Sequence, residues 1–123
     1  MNKERPVLSG LVNKGTSETE EFQNKTLRPV IKMQHQLLIS SFKNYLLKRK
    51  IDFPALSEQK RRGRVAAIFK TDNNYKNFTL GLIIAHFSME EFEFYKPVSS
   101  EINRRILQII TKRIQDSFQE ILS

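Results

Sequence analysis

The chain has 123 residues, with 21 Lys and Arg against 13 Asp and Glu and a formal net charge of +8 at pH 7. That length fits one domain, able to bury about two-thirds of its unfolded surface, and the absence of cysteine excludes a disulfide framework or a thiolate metal site. No apolar run approaches the roughly 20 residues of a membrane span, and no apolar h-region follows the opening residues, so a cytoplasmic protein of bacterial size is expected.

Residues 1–17 mix Pro, Gly, Ser and Asn without a helical period, and a flexible N-terminal arm is expected there. Pro6–Leu8 and Leu11–Val12 within it are candidates for docking on a protein partner. Residues 18–123 then read as a single helical domain. Its first helix is predicted from about Thr19 to Arg49, opened by Ser17 and Glu20 at capping-box spacing. Pro29 either kinks this helix or sits in the first turn of a second one. Leu27, Val30, Ile31, Gln34, Leu37, Leu38, Ser41, Phe42 and Tyr45 share one arc, as a core-facing helix requires. Ile39 and Leu46 fall off that arc and are expected to be exposed. Lys25, Arg28, Lys32, Gln36 and Lys43 lie opposite, and Glu21 is the only carboxylate between residues 21 and 50.

Lys48–Lys50 end that helix with positive charge, which the helix dipole favours. Asp52-Phe53-Pro54 reads as a turn anchored by Phe53. Ser57 caps a second helix over Glu58–Lys70, whose first half carries Lys60, Arg61, Arg62 and Arg64 and whose second half packs inward. Asp72 caps a third, beginning at Asn73 and running through Phe78–Phe87, the most apolar stretch of the chain. Because this helix is apolar on two faces, it is expected to lie in the interior, with Gly81 admitting a close neighbour. Ser88 and Glu91 form a capping box for a short acidic helix over Met89–Lys96, closed by Pro97. Ser99 or Ser100 then caps the last helix, which runs to about Leu122 with a broad arc of isoleucines. Glu101–Arg105 and Lys112–Asp116 on its outer side read as ordinary solvated pairs. Arg113 projects into the apolar arc, reaching the rim or pairing with a glutamate of the 89–96 helix.

The pattern points to an all-α protein: a compact bundle of four to five helices, a central buried apolar helix and a mobile arm. No nucleophile motif or Gly-rich phosphate loop is present, and no catalytic residue, cofactor or metal site is expected. His35 and His86, with Glu90 one turn on, are the sole basis for a metal-dependent enzyme, since helical metal sites use paired carboxylate–histidine motifs. A helix–turn–helix assignment fails because a recognition helix must offer polar side chains to base edges. The reading that remains is a non-enzymatic binding protein docking on nucleic acid or a nucleoprotein machine through phosphates. Its candidate contacts are Lys25, Arg28, Lys32, Lys43, Lys60, Arg61, Arg62 and Arg64. The alternative is a protein–protein adaptor or homo-oligomeric module, with the oligomeric state open.

The segments Thr26-Leu27-Arg28-Pro29, Lys32-Met33-Gln34-His35, Gly81–Ser88, Glu91–Tyr95 and Ser100-Glu101-Ile102-Asn103 carry a likeness over most of residues 21–116. In them the chain resembles a group of small uncharacterised bacterial helical proteins, some of which bear the label glyoxalase. Glyoxalases of the vicinal-oxygen-chelate type present His and Glu to a metal from the strands of βαβββ modules. No strand is predicted here, so the resemblance transfers no ligand residue.

Overall fold

The computed structural model describes residues 17–123, so the flexible arm expected over residues 1–17 lies, Ser17 apart, outside the described residues. All regular structure among the described residues is helical. The α-helices are α1 (Glu18–Phe22), α2 (Arg28–Met33), α3 (His35–Lys48), α4 (Glu58–Thr71), α5 (Asn73–Ile84), α6 (Met89–Tyr95), α7 (Ser99–Gln115) and α8 (Phe118–Leu122). A π-helical turn, Gln23–Leu27, joins α1 to α2, and 3-10 turns occupy Phe53–Ala55 and Lys96–Val98.

Local chemistry sets most of these boundaries. Ser57 Oγ accepts the Lys60 N–H at 3.2 Å and Asp72 Oδ1 accepts the Tyr75 N–H at 3.1 Å, which satisfies donors left over at each helix start. The Ser88–Glu91 capping box is complete: Ser88 Oγ accepts the Glu91 N–H at 3.0 Å and Glu91 Oε1 accepts the Ser88 N–H at 2.8 Å. The serine cap expected for the last helix does not form. Pro97 fixes a 3-10 turn that feeds the chain straight into α7, with Val98 at the cap position and no side-chain bond there. That helix also ends sooner than expected. Ser117 Oγ donates to the Arg113 carbonyl at 2.7 Å, a side-chain bond that competes with the backbone ladder, and the chain turns into α8.

Pro29 falls at the start of α2 rather than kinking one long helix. Proline lacks an N–H and crowds the preceding turn. The π turn before it widens the ring, with Arg28 N–H donating to the Gln23 carbonyl, and so carries the helix past the obstruction. A second interruption at Gln34 (φ −93°, ψ 11°) separates α2 from α3.

The interior is organised differently from the sequence expectation. Phe78–Phe87 is not an interior rod: Phe78 is 48% exposed, and on α5 the buried side chains are Tyr75, Thr79 and Ile83. The helix stops at Ile84, and Gly81 admits no neighbour, since a Cβ there would meet nothing within 4 Å. The interior helix is α7, whose Ile102, Ile106, Ile110 and Ile114 are all fully buried. It packs against α4, α5 and the π turn. On α3 the core seam is Leu38, Ile39, Phe42 and Leu46, while Leu37 is exposed. Ile39 and Leu46, expected outside, are buried, and α8 folds back against α3. The break at Gln34 sets the phase of α3 independently of α2, which an arc drawn through both cannot capture.

Aromatic rings fill the rest. Phe42 lies 5.9 Å from Phe53 and 6.3 Å from Tyr75, and Phe53 reaches Phe118 edge-on at 5.4 Å. A second group joins α1 to α6, with Phe22 stacked on Phe94 at 4.8 Å and edge-on to Phe87 at 5.4 Å.

The end of α3 is a Schellman motif built on the wrong residue. Lys50 N–H donates to the Leu47 carbonyl and Ile51 N–H to the Leu46 carbonyl, with Lys50 at φ 56°, a conformation glycine adopts freely and lysine does not. Lys50→Gly is therefore expected to stabilise the fold by about 0.5–1 kcal/mol. A denaturant titration would read this as a higher midpoint at unchanged slope; an unchanged or lower midpoint would contradict it.

Candidate anion-binding surface

The burial of one side of α7 fixes what its other side presents. With Ile102, Ile106, Ile110 and Ile114 inward, Arg104, Gln108, Thr111, Lys112 and Gln115 form an outward ridge. On one flank Lys70, Ala66 and Phe69 of α4 complete a groove with this ridge. On the other flank Gln23 of the π turn and Arg28 of α2 complete a recess with Gln108, Lys112, Arg113 and Asp116. The ridge thus carries cations along its crest and on both sides.

Its carboxylates are outnumbered and shared. Glu101 Oε2 lies 2.7 Å from both Arg104 Nη2 and Arg105 Nε. Hydrogen bonds from these guanidinium groups, Arg104 first, hold the Glu101 carboxyl below its ordinary range. Asp116 is 3.2 Å from Lys112 and 3.9 Å from Arg62, which also lies 3.9 Å from Glu58 of its own helix. Arg105 also donates to Gln23 Oε1 at 2.9 Å, tying α7 to the π turn.

The eight cations singled out from the sequence do not form one face. Arg28 lines the α7 recess, and Arg62 reaches the same end of α7 from α4, donating to the Gln115 carbonyl at 3.4 Å. Arg61 is structural: its Nε and Nη2 donate at 3.0 Å to the carbonyls of Phe53 and Pro54, and so lock the 3-10 turn. Lys43 donates to the Ser123 backbone oxygen at 3.3 Å, at the α8 side. Lys25 of the π turn pairs with Glu21 of α1, four residues back, at 2.9 Å. Lys32, Lys60 and Arg64 are exposed and make no side-chain hydrogen bond or ion pair among the described residues. Sequence reasoning missed Lys70, Arg104 and Lys112. The signal was available, since residues 104, 108 and 112 repeat every four positions opposite the isoleucines, but pairing with Glu101 and Asp116 made them look neutralised.

Neither histidine is placed as a metal ligand. His35 Nδ1 accepts from Arg113 Nη1 at 3.2 Å, and its Nε2 lies 2.9 Å from Glu120 Oε1. Arg113 is thereby held by α3 and not by a glutamate of α6, the second of the two placements read from the sequence, and its buried Nε has no partner. The Gln34 side-chain amide contacts His86 Nε2. Among the described residues no group of three or more His, Asp or Glu side chains is arranged to hold a metal ion.

A separate polar node ties α3 to α5. Tyr45 Oη donates to Asp72 Oδ2 at 2.6 Å, Arg49 Nη2 donates to the same oxygen at 3.1 Å, and the Arg49 guanidinium sits 4.8 Å from the centre of the Tyr45 ring. Ser41 and Tyr75 share a hydrogen bond of 2.9 Å beside it. The Tyr45 hydroxyl, followed by the Tyr75 N–H, holds the Asp72 carboxyl below its usual range, and burial pushes the Tyr75 hydroxyl up to about 12. No family model, curated protein or solved structure matches the chain.

This node sets limits on both sides of the pH range. The Asp72 contribution is complete above the unfolded carboxylate value of about 3.9 and is lost as pH falls through the lower folded value. Asp72→Asn should therefore be less stable than the parent at neutral pH, with the gap closing towards pH about 2. The neutral Tyr75 contributes fully below about 10 and loses that contribution as pH rises through about 12, so Tyr75→Phe should flatten the alkaline limb. Denaturant midpoints across pH for both variants check this. A constant gap for the asparagine variant, or an unaltered alkaline limb for the phenylalanine variant, would refute the assignment.

Proposed function

We propose that the chain is a non-enzymatic basic binding module that docks on nucleic acid, alone or in a nucleoprotein machine, through backbone phosphates. The observation that carries this reading is the cation surplus of the α7 ridge. Glu101 serves Arg104 and Arg105 together, while Lys112 has Asp116 and Arg62 divides itself between Asp116 and Glu58. Lys70 and Arg28, on the two flanks, lie within ion-pair distance of no carboxylate among the described residues. A ridge with this surplus attracts a polyanion and releases its counterions, while offering little that reads base edges. Non-specific, steeply salt-dependent binding follows.

Fluorescence titration of RNA and duplex DNA at two or more salt concentrations tests it. The expected result is a logarithmic salt slope that falls by about 0.9 for each duplex-phosphate contact removed. The combined Lys70→Gln, Arg104→Gln and Lys112→Gln variant should thus lose roughly 2–3 from that slope, whereas Lys25→Gln should leave it close to the parent. Absence of binding at low salt would eliminate the proposal.

An adaptor or self-associating module is favoured by a different observation. The Ser41–Tyr75 contact joins α3 to α5, and the Gln34–His86 contact joins the residue before α3 to the segment after α5. Between those contacts Leu37 is 45% exposed and Phe78 48% exposed, with Met33 close by in sequence at 59%. Sedimentation of the parent and of Phe78→Ser across concentration separates the two. Self-association predicts a mass that rises with concentration in the parent and not in the variant, and a parent that stays monomeric throughout removes it.

A further inference from the structure

The recess between the π turn, α2 and the C-terminal half of α7 differs in kind from the convex ridge beside it. It has a volume of about 500 Å³ and is lined by Gln23, Arg28, Gln108, Ile109, Lys112, Arg113, Asp116 and Ser117, a size within the ligand-pocket range of roughly 300–1,000 Å³. We infer that this recess binds a terminal phosphate group, a phosphomonoester dianion, with Arg28 and Arg113 as its principal donors. The inference rests on the polyanion-docking reading insofar as the phosphate is the end of a nucleic acid strand; as a site for a free phosphate it stands alone.

Four features of the recess carry it. First, Arg113 is fixed and incompletely used. Its Nη1 donates to His35 Nδ1 at 3.2 Å, His35 is itself held by Glu120 at 2.9 Å, and its buried Nε has no partner. The guanidinium is thus anchored at the wall of the recess with donor capacity left over, and a phosphate oxygen is the acceptor a guanidinium fork fits best.

Second, the π turn brings a second set of donors to the same wall. Arg28 N–H bonds to the Gln23 carbonyl, five residues back, and both side chains line the recess, with Arg28 Nε donating to Asn24 Oδ1 at 3.3 Å and its terminal nitrogens left over. Such widened turns recur at functional sites. Third, Gln23 is oriented. Its Oε1 accepts from Arg105 at 2.9 Å, which leaves its amide N–H groups free to donate. Fourth, the one carboxylate in the lining, Asp116, is already committed to Lys112 at 3.2 Å and Arg62 at 3.9 Å.

The shape favours an end over a chain. A phosphodiester within a strand carries a single negative charge and two substituents, and it suits the open ridge. A terminal phosphate approaches a concave site from one side and brings up to two charges, which two guanidinium groups can share. The two sources of such a group are the end of a nucleic acid strand and a free phosphate.

The test follows the Arg113 Nε–H and Gln23 side-chain resonances by NMR of the full chain titrated with inorganic phosphate, against sodium chloride at matched ionic strength. Saturable shifts with phosphate and none with chloride are expected. Arg28→Ala, which touches nothing in the core, should weaken them about tenfold or more, as expected for loss of a charge-assisted hydrogen bond. In parallel, oligonucleotides ending in a 5′-phosphate, a 3′-phosphate or hydroxyls only are compared by competition. If the strand end is the ligand, one phosphorylated end binds about tenfold tighter than the hydroxyl form, and Arg28→Ala removes that preference. If free phosphate binds and the oligonucleotides compete equally, the site takes small phosphates. Equal shifts with chloride, or none with phosphate, overturn the inference even if all oligonucleotides bind, in which case the docking proposal still stands. Phosphate binding without any oligonucleotide binding does the reverse.

Discussion

Burial of the isoleucine row on α7 is the constraint from which the rest of the structure follows. Ile102, Ile106, Ile110 and Ile114 stand one turn apart and are each fully buried. Each contributes roughly 1.5–3 kcal/mol by leaving water, and β-branching gives each a single preferred rotamer in a helix. A stiff apolar rail of this length must be covered along its whole extent. The helices α4 and α5 and the π turn provide the cover. Once the rail points inward, the rotation of α7 is decided, and Arg104, Gln108 and Lys112 must point out. The core and the charged ridge are therefore two faces of one helix. Neither can be moved without the other.

Pro29 links the same core to the chemistry of the recess. A proline this far along a helical stretch normally breaks it, since a carbonyl loses its donor and the ring crowds the turn. Here the π turn absorbs the defect, and its cost is offset locally. Thr26 and Leu27 within it are buried, and Thr26 Oγ1 donates to Glu91 Oε2 at 3.2 Å. That carboxylate closes the capping box of α6 with its other oxygen. One glutamate thus fastens two elements, while the widened turn presents Gln23 beside Arg28. A device that rescues the backbone also arranges the donors.

What the sequence revealed was local. Asp72, Ser57 and the Ser88–Glu91 pair cap helices where their residue types demanded it, because a cap depends only on the next three residues. The all-helical class followed from the same short-range rules. Choosing the interior helix was a different problem. Phe78–Phe87 has the denser apolar content, but Phe78 faces water and only every fourth residue of α5 is buried. The isoleucines of α7 are interleaved with Arg and Lys, so the mean composition conceals them and only their spacing gives them away. Ile39 and Leu46 were illegible for another reason. What packs on α3 includes α8, brought back against it by the turn at Asp116–Ser117, and no pattern within α3 records so distant a helix.

The candidate site was legible in its charge and not in its placement. A count of cations treats Arg61 and Arg28 alike, yet Arg61 spends its donors on the carbonyls of Phe53 and Pro54 while Arg28 lines an open recess. Pair counting fails in the opposite sense. Arg105 and Glu101 look like a neutral couple until Arg104, one residue earlier on the same helix, is found on the same carboxylate. Each carboxylate can neutralise one unit of charge, so Glu101 between Arg104 and Arg105 leaves one positive charge over, whereas Arg62 beside Asp116 has Glu58 as well. Tertiary packing adds to that surplus, where α4 and α2 bring Lys70 and Arg28 to the two sides of α7. Their grouping with Arg104 and Lys112 is therefore a property of the fold, and it would be lost if the isoleucine rail were turned by half a revolution.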